Sequence, residues 1–355
     1  MVPSVVLDSY WRFASERQAI LSRRLAGEPG PWTSDPILHA YRFTNAYRVA
    51  DRVSQYLIRE VQQGADRSQE PNEVVFRTIL FKLFNRIETW EALENALGPI
   101  AWATFDVARA ASILDTRQDA GTRIYSGAYI MPPPCLGHVR KHRNHLALLG
   151  RMMEDRLGDR LRQAPSLADV YERLLRYPGL GPFLAFQFAI DINYTDLLDF
   201  DEDDFVVAGP GALDGIAKCF FNTSGRSPAA VIEWMVENQE AEFDRLGLVF
   251  QRLSDRRLHL IDCQNLFCEI SKYARVAHPD VQGLSGRTRI KQAYRIDPRP
   301  AGPIMLPRRW TEGLTVEPIG RTAFTPPPAS VPASERGRSA RRPGSSSPVR
   351  SAART

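Results

Sequence analysis

Hydrophobic residues recur at three- and four-residue intervals through most of the first 280 positions, the spacing that gathers apolar side chains on one face of an α-helix. WRFASERQAILSRRL (11–25) and DPILHAYRFTNAYRVADRVSQYLIREVQQ (35–63) both follow it, and the second opens with Asp35 as N-cap and Pro36 at the first helical position. NEVVFRTILFKLFNRIETWEALENAL (72–97) repeats the pattern until Gly98 and Pro99 end it. The same reading predicts helices over 102–114, 137–161, 166–176, 183–192, 228–246 and 259–274. Alternating segments are few and short: IYSGAYIM (124–131) and DFVVAG (204–209) are the two strand candidates. The expected architecture is a mainly α globule with at most a few short strands.

The pattern stops near residue 296. The last sixty residues hold eleven of the 26 prolines, and TPPPASVPASERGRSARRPGSSSPVRSAART has no hydrophobic period. Such a segment buries too little apolar surface to offset its ordering entropy, so 1–296 is read as the folded domain and 297–355 as a disordered basic tail. The tail also explains the net charge of +5. It carries ten arginines and four acids, which leaves 36 basic and 37 acidic residues in 1–296. Any anion-binding face on the folded part must come from the arrangement of charge.

No apolar run is long enough to cross a bilayer, and MVPSVVLDSYWRFASERQ lacks the features of a signal peptide, so an intracellular protein without membrane contact is expected. Four cysteines make no disulfide framework, and Cys263 and Cys268, spaced C-x4-C, have no second pair or close histidine to make a metal centre. His138, His142 and His145 are interleaved with Arg140, Lys141 and Arg143, which suits a basic face better than a cation site. No metal and no cofactor are expected.

One stretch stands apart. In YPGLGPFLAFQ (177–187) a helix ends, Pro178, Gly179, Leu180 and Gly181 make a tight turn, and a second helix starts at Pro182. The free N–H groups and partial positive charge of a helix start suit a phosphate oxygen, and glycine permits close approach. With Ala185 four residues after the second glycine and DFDEDDF (199–205) downstream, this resembles the helix-hairpin-helix DNA glycosylase superfamily, the motif spanning about 170–192. The resemblance implies a hairpin that holds a DNA phosphate, a flipped nucleotide, and a catalytic aspartate near Asp201, with Asp199, Asp203 and Asp204 as neighbours in register and Asp191 as the alternative acid. Phe183 stands where bifunctional members place a Schiff-base lysine.

A wider resemblance runs through PWTSDPILHAYRFTNAYRVADR, LFKLFNRIETWEAL, IYSGAYIM, YPGLGPFLAFQFAIDINY, VVAGPGALDGIAKCF and DCQNLFCEISKYAR, in this order over residues 31–275. These blocks are similar to the family named for the helical domain of 5-hydroxymethyl-deoxyuridine DNA kinases, allied to the alpha-glutamyl/putrescinyl thymine pyrophosphorylases. That likeness implies double-stranded DNA containing modified bases as the partner, acted on by N-glycosidic hydrolysis or by substitution at the 5-methylene carbon. The other reading is a non-catalytic DNA-binding module that recruits a separate kinase or transferase. No G-x-x-x-x-G-K-[ST] occurs, and GLSGRTRIK (283–291) has neither the spacing nor the lysine.

Polar residues within these blocks are the candidates for a base pocket. Arg42, Asn45, Arg48 and Asp51 recur at three-residue steps, Lys82 and Asn85 interrupt an apolar helix, and Asn265, Glu269 and Lys272 share a face with Asp262. Gln187 and Asp191 share another at i, i+4. Each stripe reads either as a solvated, self-paired helix face or as a pocket wall. The glycines Gly209, Gly211 and Gly215 are read as a loop that lets a sugar or phosphate sit close to backbone.

Overall fold

The computed structural model describes residues 1–129, 131–296 and 302–311. Thirteen α-helices carry them: α1 Val5–Leu25, α2 Pro36–Ala40, α3 Arg52–Tyr56, α4 Pro71–Phe84, α5 Ile87–Leu97, α6 Val107–Asp119, α7 Lys141–Glu154, α8 Leu157–Arg162, α9 Leu167–Leu175, α10 Pro182–Asn193, α11 Pro210–Cys219, α12 Pro228–Arg245 and α13 Leu260–Ala277. Two short strands, β1 Val2–Pro3 and β2 Phe220–Asn222, pair antiparallel. The mainly α expectation holds. Among the described residues neither predicted strand forms: 204–209 is an irregular link into α11, and 124–129 is irregular with Tyr129 in a left-handed conformation (φ 54°) that no strand accommodates.

Local chemistry explains where helices start. Asp35 accepts from Ile37 and Leu38 N–H, Ser166 from Asp169 N–H and Ser227 from Ala230 N–H, while Pro36, Pro71, Pro182, Pro210 and Pro228 occupy first-turn positions that need no amide donor. Four long predicted helices are broken. Residues 35–63 give α2, an irregular stretch, a 3-10 turn at Arg48–Ala50, α3 and a π-helical turn at Leu57–Gln62. Side chains replace the helical ladder there: Asp51 accepts from Asn45 N–H, the Asn45 amide donates to Ala50 O, and Arg17 donates to Thr44 O and to the Asn45 side chain. Residues 72–97 break at Asn85, whose φ of 48° is tolerable for asparagine and separates α4 from α5. Residues 137–161 divide at Arg156 (φ 52°), and 102–114 at the Asp106 cap of α6.

Helix α11 packs closely on α13, and glycine permits it. A Cβ on Gly215 would overlap the Phe267 carbonyl, one on Gly211 would lie 2.9 Å from Cys268 Sγ, and one on Gly209 would enter the Phe183 ring. These glycines serve packing, which corrects their reading as a ligand-cradling loop. The core around Trp11, Phe76, Phe81, Phe186, Trp90 and Phe267 is fully buried.

Residues 302–311 are fastened to the body, so the folded part extends past 296. Gln55 exchanges two hydrogen bonds with the backbone of Met305, Arg309 donates to Thr195 O and Leu198 O, and Trp310 packs edge-on against Tyr194 with the Arg256 guanidinium 3.7 Å above it. The remaining residues of the predicted tail, 297–301 and 312–355, lie outside the described residues.

Candidate functional site

The helix that leaves the turn at 178–181 carries an ionic cluster. Gln187 and Asp191 sit one turn apart on α10, both wholly buried, and Arg48 reaches them from its 3-10 turn, donating through Nε to Gln187 Oε1 (3.0 Å) and through Nη2 to Asp191 Oδ1 (2.7 Å). Asp262 on α13 pins the Arg48 backbone N–H at 2.7 Å. From α4, Lys82 Nζ lies 3.1 Å from the other oxygen of Asp191 and donates to Asn85 Oδ1 at 2.9 Å. Arg48 is 2% exposed and Lys82 5%.

The cluster is unbalanced, since two cations share one carboxylate. Burial works against the charge of Arg48, yet Asp191 with Tyr194 and Tyr129 holds its pKa above the ordinary value. For Lys82 burial wins: its pKa is lowered, Asp191 offsetting only part while Arg48 adds repulsion. Lys82 is therefore the surplus cation.

An aromatic pair covers it. The Tyr129 ring lies 4.8 Å from Lys82 Nζ and stacks on Phe183 of α10 with centroids 5.6 Å apart and planes 11° from parallel. A tyrosine with positive φ costs roughly 1–2 kcal/mol relative to a relaxed backbone, and such conformations persist where surrounding structure imposes them, often at functional sites. Burial raises the Tyr129 hydroxyl pKa, with Asp51 and Asp191 adding and Arg48 opposing. Half-buried Asp51 is pushed up to about 7, mainly by burial, with Glu269 adding and the Asn45 N–H, Arg48 and Arg17 opposing.

The predicted residues thus divide. Arg48, Lys82, Asn85, Gln187 and Asp191 converge. Asn45, Glu269 and Lys272 form an adjoining group in which Glu269 accepts from Thr44 N–H and Lys272, and Lys272 also donates to Arg42 O. The Arg42 side chain is exposed and joins neither. Asn265 is buried on α13 between Asp262, which holds Arg48, and Cys268, whose thiol burial pushes up to about 12. Gln187 is spent on Arg48 and on Gln264 (3.3 Å), and the Asn85 oxygen on Lys82, so both position neighbours.

Asp201 stands apart, its side chain 63% exposed, accepting from Asp203 N–H and lying 3.7 Å from His259. With Asp203 and His259 it makes a group whose ligand atoms lie within 4.8 Å of one another, but Asp203 is already engaged by Arg257 (2.7 Å) and Leu260 N–H. In the turn, Gly179 has φ 86°, Leu180 is buried, and Gly181 caps α10 with open space around its Cβ position. The proposed basic face at 138–145 needs correction: His142 is buried on Asp115, His145 is buried on Tyr125 and Pro132 O, and Asp115 also pairs with Arg140 and Arg143. A half-open cleft of about 510 Å³, lined among others by Met1, Phe220, Arg226 and Trp234, shares no residue with the cluster. Tyr129 was missed by sequence reasoning, because an aromatic in an apparently alternating segment reads as strand; no local signal marks its left-handed backbone.

A family model described as "5-hmdU DNA kinase, helical domain" matches residues 4–283. The chain belongs to this family. The ionic cluster, the aromatic pair and the glycine turn all fall within the matched helical domain, whereas the docked segment 302–311 lies beyond it. A relative named "5-hmdU DNA kinase" from Bacillus phage SP10 is 29% identical over 286 residues, 75% of this chain and 44% of that protein, so the chain spans less than half of that kinase. No solved structure matches this member of the family. Among the described residues no helix is long and apolar enough to cross a membrane.

Proposed function

We propose that the chain recognises a 5-hydroxymethyl-derived pyrimidine in double-stranded DNA and takes part in modifying it. The observation that carries this reading is Lys82, a surplus buried cation beneath a stacked aromatic pair. A base in a duplex must leave the stack to be reached at its 5-substituent. Displacement of Tyr129 from Lys82 opens an aromatic slot against Phe183, where stacking contributes about 1–3 kcal/mol per base. Lys82 then donates to the oxygen on the 5-methylene, and Asn265, whose amide has both donor and acceptor, faces the base edge. The turn at Pro178–Gly181 offers the N–H groups of α10 to a flanking phosphate.

Charge favours one chemistry over another. Hydrolysis of the N-glycosidic bond develops positive charge on the sugar, but Asp191 already faces two cations and has little field to spare. In substitution at the 5-methylene, the carbon–oxygen bond breaks and its electron pair goes to the departing oxygen, next to Lys82, while an external nucleophile bonds the carbon. Asp191 then acts by holding Arg48 and Lys82, and exposed Asp201 has no part. This sequence contains no G-x-x-x-x-G-K-[ST], so phosphorylation of the hydroxymethyl group is assigned to a separate kinase or transferase segment.

The test is incubation with duplexes containing thymine, 5-hydroxymethyluracil or its phosphorylated form, with and without nucleoside triphosphate and an amine nucleophile, followed by mass spectrometry of the nucleosides. An altered nucleoside from the hydroxymethylated duplexes alone supports the reading. Release of a free base contradicts the substitution chemistry, and intact nucleosides throughout leave a recognition module that acts with a partner enzyme.

A further inference from the structure

Residues 281–296 contain Arg287, Arg289, Lys291 and Arg295 and no acid, whereas the rest of 1–296 carries 32 basic and 37 acidic residues. The segment's four cations all lie beyond the family match, which ends at 283. It is not helical, and its backbone is tied down at several points. Ser285 N–H donates to Asp214 at 2.6 Å, Arg275 donates to Arg289 O at 3.2 Å, Arg42 N–H to Gln292 O at 3.0 Å and Tyr294 N–H to Ala40 O at 2.9 Å, with Tyr41 bridged to Ala293. Arg287, Arg289 and Lys291 are exposed, as are Thr288 and Gln292, while Ile290 is half-buried. Among the described residues none of the three has a carboxylate within ion-pair distance.

A solvated charge run on a loose loop needs no such anchoring. Here the backbone is a fixed rail, and its three exposed cations meet no carboxylate among the described residues. Its far end joins residues 40–42, two positions before Thr44 and three before Asn45, and Asn45 N–H donates to Asp51, which bears on the titration of Tyr129 and Lys82. Arg42, whose backbone N–H holds the rail at Gln292 O, adds a further exposed cation next to it. Arg275, packed under the rail, has its pKa lowered by burial, with Asp214 opposing and Arg287 adding to the depression, which places two cations in mutual repulsion that a bound anion would relieve.

We propose that Arg287, Arg289 and Lys291 form a rail for the phosphodiester backbone of the DNA flanking the base taken up at the Lys82 site. This rests on the DNA-recognition reading above and adds where the strand runs. At a reach of at most about 3.3–3.6 Å per residue, Arg287, Arg289 and Lys291 span up to roughly 14 Å of chain, so three successive cations meet a run of backbone phosphates instead of a single ion. The strip carries no aromatic among its exposed cations, which suits backbone contact and not base reading.

The experiment uses the full chain, a duplex oligonucleotide with one 5-hydroxymethyluracil, and equilibrium titrations between 50 and 200 mM salt. The variant is Arg287→Gln/Arg289→Gln/Lys291→Gln. Each neutralised phosphate contributes about 0.9 to the slope of log affinity against log salt, so three contacts make the variant less steep by roughly 2.7, and over this range the wild type loses roughly 40-fold more affinity than the variant. Arg287→Lys/Arg289→Lys keeps the wild-type slope. A glutamine variant with the wild-type slope overturns the rail while leaving DNA recognition standing. A wild-type protein that binds no DNA overturns the recognition reading itself.

Discussion

Replacing Asp191 with asparagine is the sharpest perturbation of the buried cluster. The side chain keeps its shape and loses the one negative charge that faces Arg48 at 2.7 Å and Lys82 at 3.1 Å. Removing one partner of a buried pair costs about 3–5 kcal/mol because the other charge is left desolvated and unpaired. Two cations are orphaned here, so the upper half of that range applies. At roughly 2–4 °C per kcal/mol for a domain of this order of size, the thermal midpoint should fall by about 8–20 °C. Lys82→Met has the opposite character, since it removes the surplus cation and leaves the Arg48–Asp191 pair intact; its cost should stay within about 1 kcal/mol. The double variant Asp191→Asn/Lys82→Met should recover about 1–3 kcal/mol relative to the sum of the singles, the coupling expected of groups in direct contact. Calorimetry or denaturant titration at neutral pH reads all three. If Asp191→Asn melts within about 2 °C of wild type, Asp191 is not the counter-charge and the reasoning from charge imbalance fails.

The turn before α10 makes a paired prediction: Gly179→Ala should cost about 1–2 kcal/mol because φ is 86° and its Cβ would lie 3.3 Å from Pro132 O, whereas Gly181→Ala should leave stability unchanged. Gly181→Asp should leave the melting temperature alone and weaken DNA binding, and unchanged affinity would remove the phosphate role. Gly215→Ala should destabilise more than either, since the added carbon meets the Phe267 carbonyl across the α11–α13 contact, and a normal denaturation curve would show that this approach is looser than described. Asp51 keeps its proton in the folded state up to about pH 7, against about 3.8 in the unfolded chain, so its contribution to stability is fully present below pH 3.8 and is lost as pH rises through 7. Wild type should therefore lose more stability than Asp51→Asn between pH 4.5 and 7.5, and parallel profiles would remove the shift assigned to Asp51.

Helix content was legible because apolar periodicity is set by burial, and α1, α9, α10, α12 and α13 fall close to the predicted ranges. The breaks were not legible. Arg42, Asn45, Arg48 and Asp51 mimic a helical stripe, yet their three-residue spacing arises from a non-helical stretch whose side chains bond to backbone and carry Arg48 into the core. At Asn85 the left-handed turn depends on a single torsion in an otherwise continuous pattern. Gln187, Asp191, Lys82 and Arg48 were all named as candidates, but their convergence depends on how α4 and α10 pack, which periodicity does not encode. The preference for Asp201 came from spacing after a glycine turn; the structure puts that residue on an exposed turn and the buried acid one helix earlier. Gly209, Gly211 and Gly215 look alike in sequence whether a ligand or a neighbouring helix needs the room, and here it is the helix.

The most direct test of the central claim is the affinity of the wild-type protein for two duplexes that differ at one position, thymine against 5-hydroxymethyluracil, repeated with Lys82→Met. A hydrogen bond from a charged donor is worth about 1.5–3 kcal/mol, or roughly 10- to 150-fold in affinity. The wild type should prefer the hydroxymethylated duplex by a factor in that range, and Lys82→Met should bind the two alike. Equal affinity in the wild type, or a preference that survives loss of the lysine, would contradict the account.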